Sequence, residues 1–454
     1  MEHEDAKREE AKNATFSHKF KMANLTTAKD HLHCGKSELD YSPPKLLQSD
    51  IEYEYFADLT PKNTIIPGNP LLFEIEGSSD FVDLSRTALS VQIKLTDTDG
   101  GDITAESKCA PVNNVLHSLF SQVTVTMRDS VISHPNNNYS YRAYIENLLN
   151  YSSASKETWM KNFGFHQDEA GKFDLESNGA LAARGKKLIE GGILALKGRL
   201  HTDINFQSRL IPSNLDIKFS LSPSKPDFFV QSFDTGKSYR VEIVSASLRV
   251  RKVKLFPARQ ISFENQIRKS PIKIPITHVQ MKTCSIPQGL NSFSRDGLFS
   301  GVLPKLVICG LVDNRAYTGN YRSTPFNFKH FDVNSFQLNV NGRSVPTQAL
   351  TPDYERDSFI DAYETLYTSL GLQFADFDNG ITPELYKNGC TLYAFNLGSD
   401  SYCPHDDAVV TGTVDLNMRF KNPLPNTVSL ILYSQFDGLI TIDSYRNVLI
   451  DTAS

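Results

Sequence analysis

The chain is poor in the residues from which chemical sites are usually built. Its six cysteines, Cys34, Cys109, Cys284, Cys309, Cys390 and Cys403, are scattered through 454 residues with no Cys-x-x-Cys. That spacing predicts reduced thiols in place of a disulfide framework. No apolar run reaches the roughly 18 residues a membrane-spanning helix needs, so no membrane insertion is expected. The opening MEHEDAKREE is too charged for a secretory signal, so export is not expected either. An excess of one charge is also missing: 47 basic residues face 52 acidic ones, a formal charge of -5, which argues against coating nucleic acid and leaves only local genome contacts. Gly-x-Ser-x-Gly, a Walker loop and a dinucleotide fingerprint are absent. Gly185-Lys186-Lys187 lacks the upstream glycine and the following hydroxyl residue of a phosphate cradle. The single tryptophan, Trp159, and the lack of an aromatic platform give little support to a sugar site. Sequons at Asn13, Asn24, Asn138 and Asn150 matter only in a secreted protein and are read as chance.

What the chain has in quantity is aromatic and alternating sequence. With 28 Phe and 18 Tyr in a 40% hydrophobic composition, it suits pleated sheets better than helices or disorder. Its length predicts two domains of roughly 200 residues each. The stretch Leu298 to Pro346 is the most legible. The apolar run Val302 to Val312, interrupted by Pro304 and Gly310, predicts a buried strand. Phe336, Leu338 and Val340 then alternate with polar residues before Asn341-Gly342, one half of a tight type I′ hairpin.

The same grammar recurs along the chain. Residues 1–48 form a polar arm closed by Ser42-Pro43-Pro44, and 49–256 a first β domain. In it Pro67-Gly68-Asn69-Pro70 turns into a strand from Leu71, Leu89 to Leu95 alternate, Asp99-Gly100-Gly101 turns, and Val123, Val125 and Met127 alternate again. Tyr141 to Leu149 is the best helix, with Tyr141, Tyr144, Ile145 and Leu148 on one face. Ser155 to Gly192 is polar and poorly periodic, a long excursion out of the β framework. Strands resume at Leu215 to Leu221 and at Val244 to Val250, where the apolar phase slips by one at Val253 and Leu255 and suggests a bulge. Residues 257–270 are a connector and 271–454 a second β domain, with a strand at Ile272 to Met281, a helical insert near Phe359 to Leu370, and closing strands at Val414 to Phe420, Val428 to Phe436 and Leu439 to Asp443. A weak internal echo lays the stretch from Gly198 on that from Gly412, with Asp203, Asn205 and Pro212 near Asp415, Asn417 and Pro425.

Several long stretches are also familiar as wording: FVDLSRTALSVQIKLTD, VNNVLHSLFSQVTVTM, YSYRAYIENLLNYSS, GRLHTDINFQSRLIPSNLDIKFSLS, SASLRVRKVKL, and Pro304, Gly310, Val312-Asp313-Asn314, Gly319, Pro325-Phe326-Asn327-Phe328 and Gly342 to Pro346. In these the chain resembles the major capsid proteins of Polintons (Mavericks) and adintoviruses, of the same structural lineage as adenovirus hexon. The resemblance runs with gaps from about Asp50 to the C-terminus. It departs at Lys269-Ser270-Pro271, where the family's connector ends in Ala-Tyr-Pro, and weakens over Ser155 to Gly192 and Thr347 to Thr391. The resemblance implies an all-β protein of two tandem jelly rolls with loop and short-helix insertions. It further implies a structural, non-enzymatic capsid subunit of the virion, made in the host cytoplasm. Such a subunit forms homotrimeric pseudo-hexameric capsomers, which meet one another and minor or penton capsid proteins.

Rival readings rest on single features. A cupin-like enzyme needs metal ligands on facing strands, but the only His-x-His, His31 and His33, lies in the arm. Cys390, Cys403 and His405 form a Cys/His cluster with no evident fourth ligand. Arg249, Arg251, Lys252 and Lys254 read as an outward basic stripe, open to phosphate or an acidic neighbouring subunit, or else a solvated face. A carbohydrate-binding sandwich is the remaining alternative. The sequence therefore assigns no catalytic, cofactor-binding or metal residue and no cofactor.

Overall fold

The computed structural model describes residues 50–133, 137–398 and 410–452. Eight strands of the first half are β1 Ile51–Leu59, β2 Leu71–Ile75, β3 Phe81–Asp97, β4 Phe120–Met127, β5 Ser130–Val131, β6 Leu194–Gly198, β7 Ile217–Pro223 and β8 Tyr239–Leu255. They form two four-stranded antiparallel sheets, β1-β8-β3-β6 and β2-β7-β4-β5. Eight strands of the second half follow: β9 Ile272–Ile286, β10 Ser292–Val302, β11 Leu306–Asp313, β12 Val333–Val340, β13 Arg343–Leu350, β14 Leu392–Asn396, β15 Thr411–Phe420 and β16 Val428–Ile442. Their sheets are β9-β16-β11-β14 and β10-β15-β12-β13, with Val448–Thr452 added beside β16. Numbered within each half, the order is 1-8-3-6 and 2-7-4-5 both times. The fold is a double jelly roll.

Alternation makes these sheets. In the first half Leu71, Leu221 and Val123 face one another across three strands, as do Phe73, Phe219 and Val125, and then Ile75, Ile217 and Met127. All nine are buried. Each such side chain contributes about 1.5–3 kcal/mol by leaving water, and the intervening Ser220, Lys218, Thr124 and Thr126 turn outward. The Asn341-Gly342 turn is type I′, with φ of 50° and 77°, and joins Val340 to Arg343. Phe336 and Leu338 reach the core as expected, whereas Val340 at the turn is only half-buried.

Four readings change. The run Val302 to Val312 spans two strands, because Val302 ends β10 and β11 starts at Leu306, with Pro304 in the link. The two closing strands near Val428 and Leu439 are one, β16, paired without a break to all fifteen residues of β9. The slip at Val253 is no bulge in β8, whose pairing with β1 runs unbroken from Leu248 to Lys254. Here the covered face changes: Leu248 and Val250 enter the main core, while Val253 and Leu255 on the opposite face pack with Phe81 and Phe263. Phe263 belongs to α2, Pro257–Lys269, which covers that face with Pro257 in its first turn. The pairing of β8 with β3 shifts twice instead, in β3 where Asp83 and Ala88 pair with Arg251 and Arg249, and in β8 at Val244, which is exposed between Ile243 and Ser245. Finally, the echo is one strand out of step: Gly198 ends β6, the sixth strand, but Gly412 opens β15, the seventh. The repeat is real in topology and the sequence match does not follow it.

Candidate functional site

Helix α1, Tyr139–Asn150, stands between the jelly rolls and builds their seam. The sequence pattern gave it one apolar face, yet every residue from Tyr139 to Leu149 is buried. Tyr144 stacks on Phe326 at 4.3 Å and 6°, and Tyr141 stacks on Tyr317 at 5.8 Å, so the helix is gripped by aromatics of the second half. One hydrophobic cluster consequently runs through both jelly rolls.

The polar side of α1 is also buried, and its charges are matched. Arg142 donates to Glu146 at 3.0 Å and to Asp203 at 2.7 Å. Glu146 also accepts from His201 Nδ1 at 2.5 Å and from the Tyr433 hydroxyl of β16 at 3.2 Å. Asp203 accepts from His278 Nδ1 at 2.8 Å and from the Val279 backbone at 3.2 Å, both on β9. Burial would push the Glu146 carboxyl up, but the Arg142 guanidinium and His201 outweigh it and hold it at about 2. The network joins two segments of the first half, α1 and the stretch after β6, to two strands of the second. Removing one partner would strand a charge away from water, which costs several kcal/mol.

The two long connections, between β5 and β6 and between β13 and β14, form the rest of the seam. The first is not the loose excursion its polarity suggested. It supplies buried Met160, Phe163, Phe165 and Phe173, and Arg184, paired with Asp168 of the same connection at 2.9 Å, pins it to the first jelly roll through the Pro111 carbonyl at 2.9 Å. It then meets its counterpart. The Lys156 ammonium is buried between the carbonyls of Leu148 at 2.6 Å and Asn379 at 2.5 Å, and burial brings its pKa down to about 8. Ser153 donates to Asp378 at 2.6 Å, and Gly171 N–H to the Asn388 carbonyl at 2.8 Å. Asp174 accepts from Thr324 N–H, Asn327 and Lys329 of the second half.

The features singled out for chemistry fare differently. Cys390 is buried, and Cys403, His405, His31 and His33 lie outside the described residues. Among the described residues no group of three or more His, Cys, Asp or Glu is placed to hold a metal. The basic residues of β8 do not form one stripe, since alternate residues face opposite sides. Arg249 is bidentate to Asp58 at 2.7 and 2.9 Å, Arg251 bridges Asp83 and Glu54, and Lys254 pairs with Glu52 while lying over Tyr53. Their acidic partners are in the same chain. Sequence reasoning missed the seam network, although Arg142 and Glu146, one turn apart inside an apolar helix, were its visible signal.

No family model matches the chain. An uncharacterized protein of Caenorhabditis elegans is 26% identical over 421 residues, which cover 89% of this chain and 99% of that one. Among solved structures, the chain is similar to the Sputnik virophage, with a TM-score of 0.62 at 12% identity, covering 92% of each chain. It is similar to the PBCV-1 virus capsid, with a TM-score of 0.57 at 12% identity, covering 91% of this chain and 100% of that one. It is also similar to the mavirus major capsid protein, with a TM-score of 0.50 at 12% identity, covering 93% of this chain and 94% of that one. The fold is thus that of viral major capsid proteins of the double jelly-roll type, and these neighbours are structural proteins.

Proposed function

We propose that this chain is the major capsid protein of a Polinton-like or adintovirus-like DNA virus or integrated element. The observation that carries the reading is the twice-repeated strand order with the two jelly rolls fused along a buried seam. Two similar wedges fixed at one angle are what a capsomer subunit requires, because three subunits around a three-fold axis then place six wedges in a ring. Such a pseudo-hexagonal block tiles the facets of an icosahedral shell. No chemistry is needed beyond burial and shape, so the protein acts without catalysis or cofactor and resides in the virion after synthesis in the host cytoplasm.

In this reading residues 49–256 and 271–454 are the two wedges and 257–270 the connector. The excursions Ser155 to Gly192 and Thr347 to Thr391 project as towers that help lock the trimer. The arm, residues 1–48, reaches neighbouring capsomers or minor and penton proteins. A subunit interface above about 2,000 Å² is expected of an obligate trimer, with weaker capsomer contacts made effective by their number.

The test is the mass of the purified protein in solution, with and without residues 1–43, followed by electron microscopy. A trimer that yields hexagonal capsomers, and that loses only higher assembly when the arm is removed, is expected. A stable monomer at micromolar concentration in both forms would overturn the proposal.

A further inference from the structure

The seam holds three buried histidines, His117, His201 and His278, while the sandwich cores beside it are built from aliphatic and aromatic layers. The hydrogen bonds assign their protons. Tyr139 oxygen accepts the His201 backbone N–H at 3.3 Å, so its hydroxyl is free to donate to His117 Nδ1 at 3.0 Å. His201 donates from Nδ1 to Glu146, and its ring meets His117 edge-on at 4.6 Å. Facing this pair are Arg142 and Glu146 from α1 and Arg199 from the segment after β6, whose guanidinium lies over Phe206 at 4.0 Å. His278 comes from β9 against Asp203, and Tyr433 from β16.

We propose that this seam is an acid-sensitive joint, which opens between the jelly rolls when His117 and His201 take up protons while each sandwich keeps its sheets. Charge counting gives the reason. Arg142 faces Glu146 and Asp203, and Arg199 also stands near Glu146, so with neutral imidazoles two cations already balance two carboxylates. A proton on either His117 or His201 then leaves uncompensated positive charge in a buried space, with Arg142 and Arg199 already there and the two imidazoles in ring contact. Opening the seam to water relieves that cost. A small cavity beside Arg142 and His201, lined also by Ser133, Thr202 and Val279, marks where water would enter.

The sign follows from the same burial. Loss of water holds His201 below the ordinary 6.5, with Glu146 opposing only in part, and holds His117 well below it, with His201 adding to the effect. Below 6.5 the opened state therefore binds more protons than the closed one, and the closed seam weakens progressively as pH falls. Each such proton contributes at most about a tenfold change per pH unit. If the capsid reading holds, the joint would loosen a shell in an acidic compartment, but the joint itself is a property of the subunit.

Hydrogen exchange on the full-length protein in solution, corrected for intrinsic rates and run from about pH 7.5 to about pH 5, tests it directly. Peptides covering α1, residues 199–206, 276–282 and 430–436 should lose protection by tenfold or more, roughly, while β3 and β7 keep theirs. Replacing His117 and His201 by Gln, which can still donate to Glu146, should remove the pH dependence of those peptides. Fluorescence of Trp159, whose ring packs on Phe163 and through it on His117, gives a second readout. If seam and sheets lose protection together, or the seam keeps it throughout, the proposal fails even should the variant not fold. Capsomer formation at neutral pH is a separate result, so either idea can fail without the other.

Discussion

Phe173 and Gly389 hold the two long connections together. The Phe173 ring, from the segment between β5 and β6, lies against the α-carbon of Gly389, from the segment between β13 and β14. Gly389 has φ of 144°, and a Cβ there would overlap the ring. The contact needs glycine for both reasons.

Gly389→Ala should therefore cost roughly 2–3 kcal/mol, the usual penalty for overpacking a buried site plus an unfavourable φ. Urea unfolding measures it. Stability equal to that of the wild type would mean that the two connections are not packed as described.

Gly342→Val tests a different penalty. A Cβ at Gly342 meets nothing within 4 Å, so any loss comes from φ of 77° alone. About 1 kcal/mol or more is expected, since a β-branched residue resists positive φ. An unchanged melting curve would count against the type I′ turn.

Glu146→Gln should destabilise the protein by roughly 3 kcal/mol near neutrality, because it removes one of the two anions facing Arg142 inside the seam. Glu146 sits at about 2 when folded against an ordinary 4.5, so its contribution is complete above 4.5 and fades as pH falls toward 2. The difference between variant and wild type should narrow below 4.5 in urea titrations. A gap that stays constant there would refute the linkage.

Arg251→Ala and Arg249→Ala should differ although the two are neighbours on one face. Arg251 is nearly buried over buried Asp83, and its loss should cost roughly 3 kcal/mol. Arg249 and Asp58 are both about half exposed to water, and their separation should leave the melting temperature nearly unchanged. Equal effects of the two substitutions would contradict this division.

Cys309 and Cys390 should resist thiol reagents until the protein unfolds. Burial pushes the Cys390 thiol up to about 12 and that of Cys309 further, so neither offers a thiolate at neutral pH. Labelling of either in the native state would show that the core around it opens.

By itself the sequence determined the local elements. Alternation along β3, β4 and β7 marked the faces that must be buried, and Asn341-Gly342 specified its turn, because these depend on residues close in the chain. The stretches resembling capsid proteins also supplied the seam, since α1, His201, Asp203 and Phe326 all lie within them. What the sequence did not show is that Arg142, Glu146 and Asp203 would be buried together, or that Phe173 would find Gly389. The contacts of Arg142 with Asp203 and of Phe173 with Gly389 join residues 61 and 216 positions apart along the chain, and no periodicity encodes them. Only the docking of one jelly roll on the other decided that a polar helix face should be sealed, and only the packing of α2 on β8 decided that Val253 should turn to a second, smaller core.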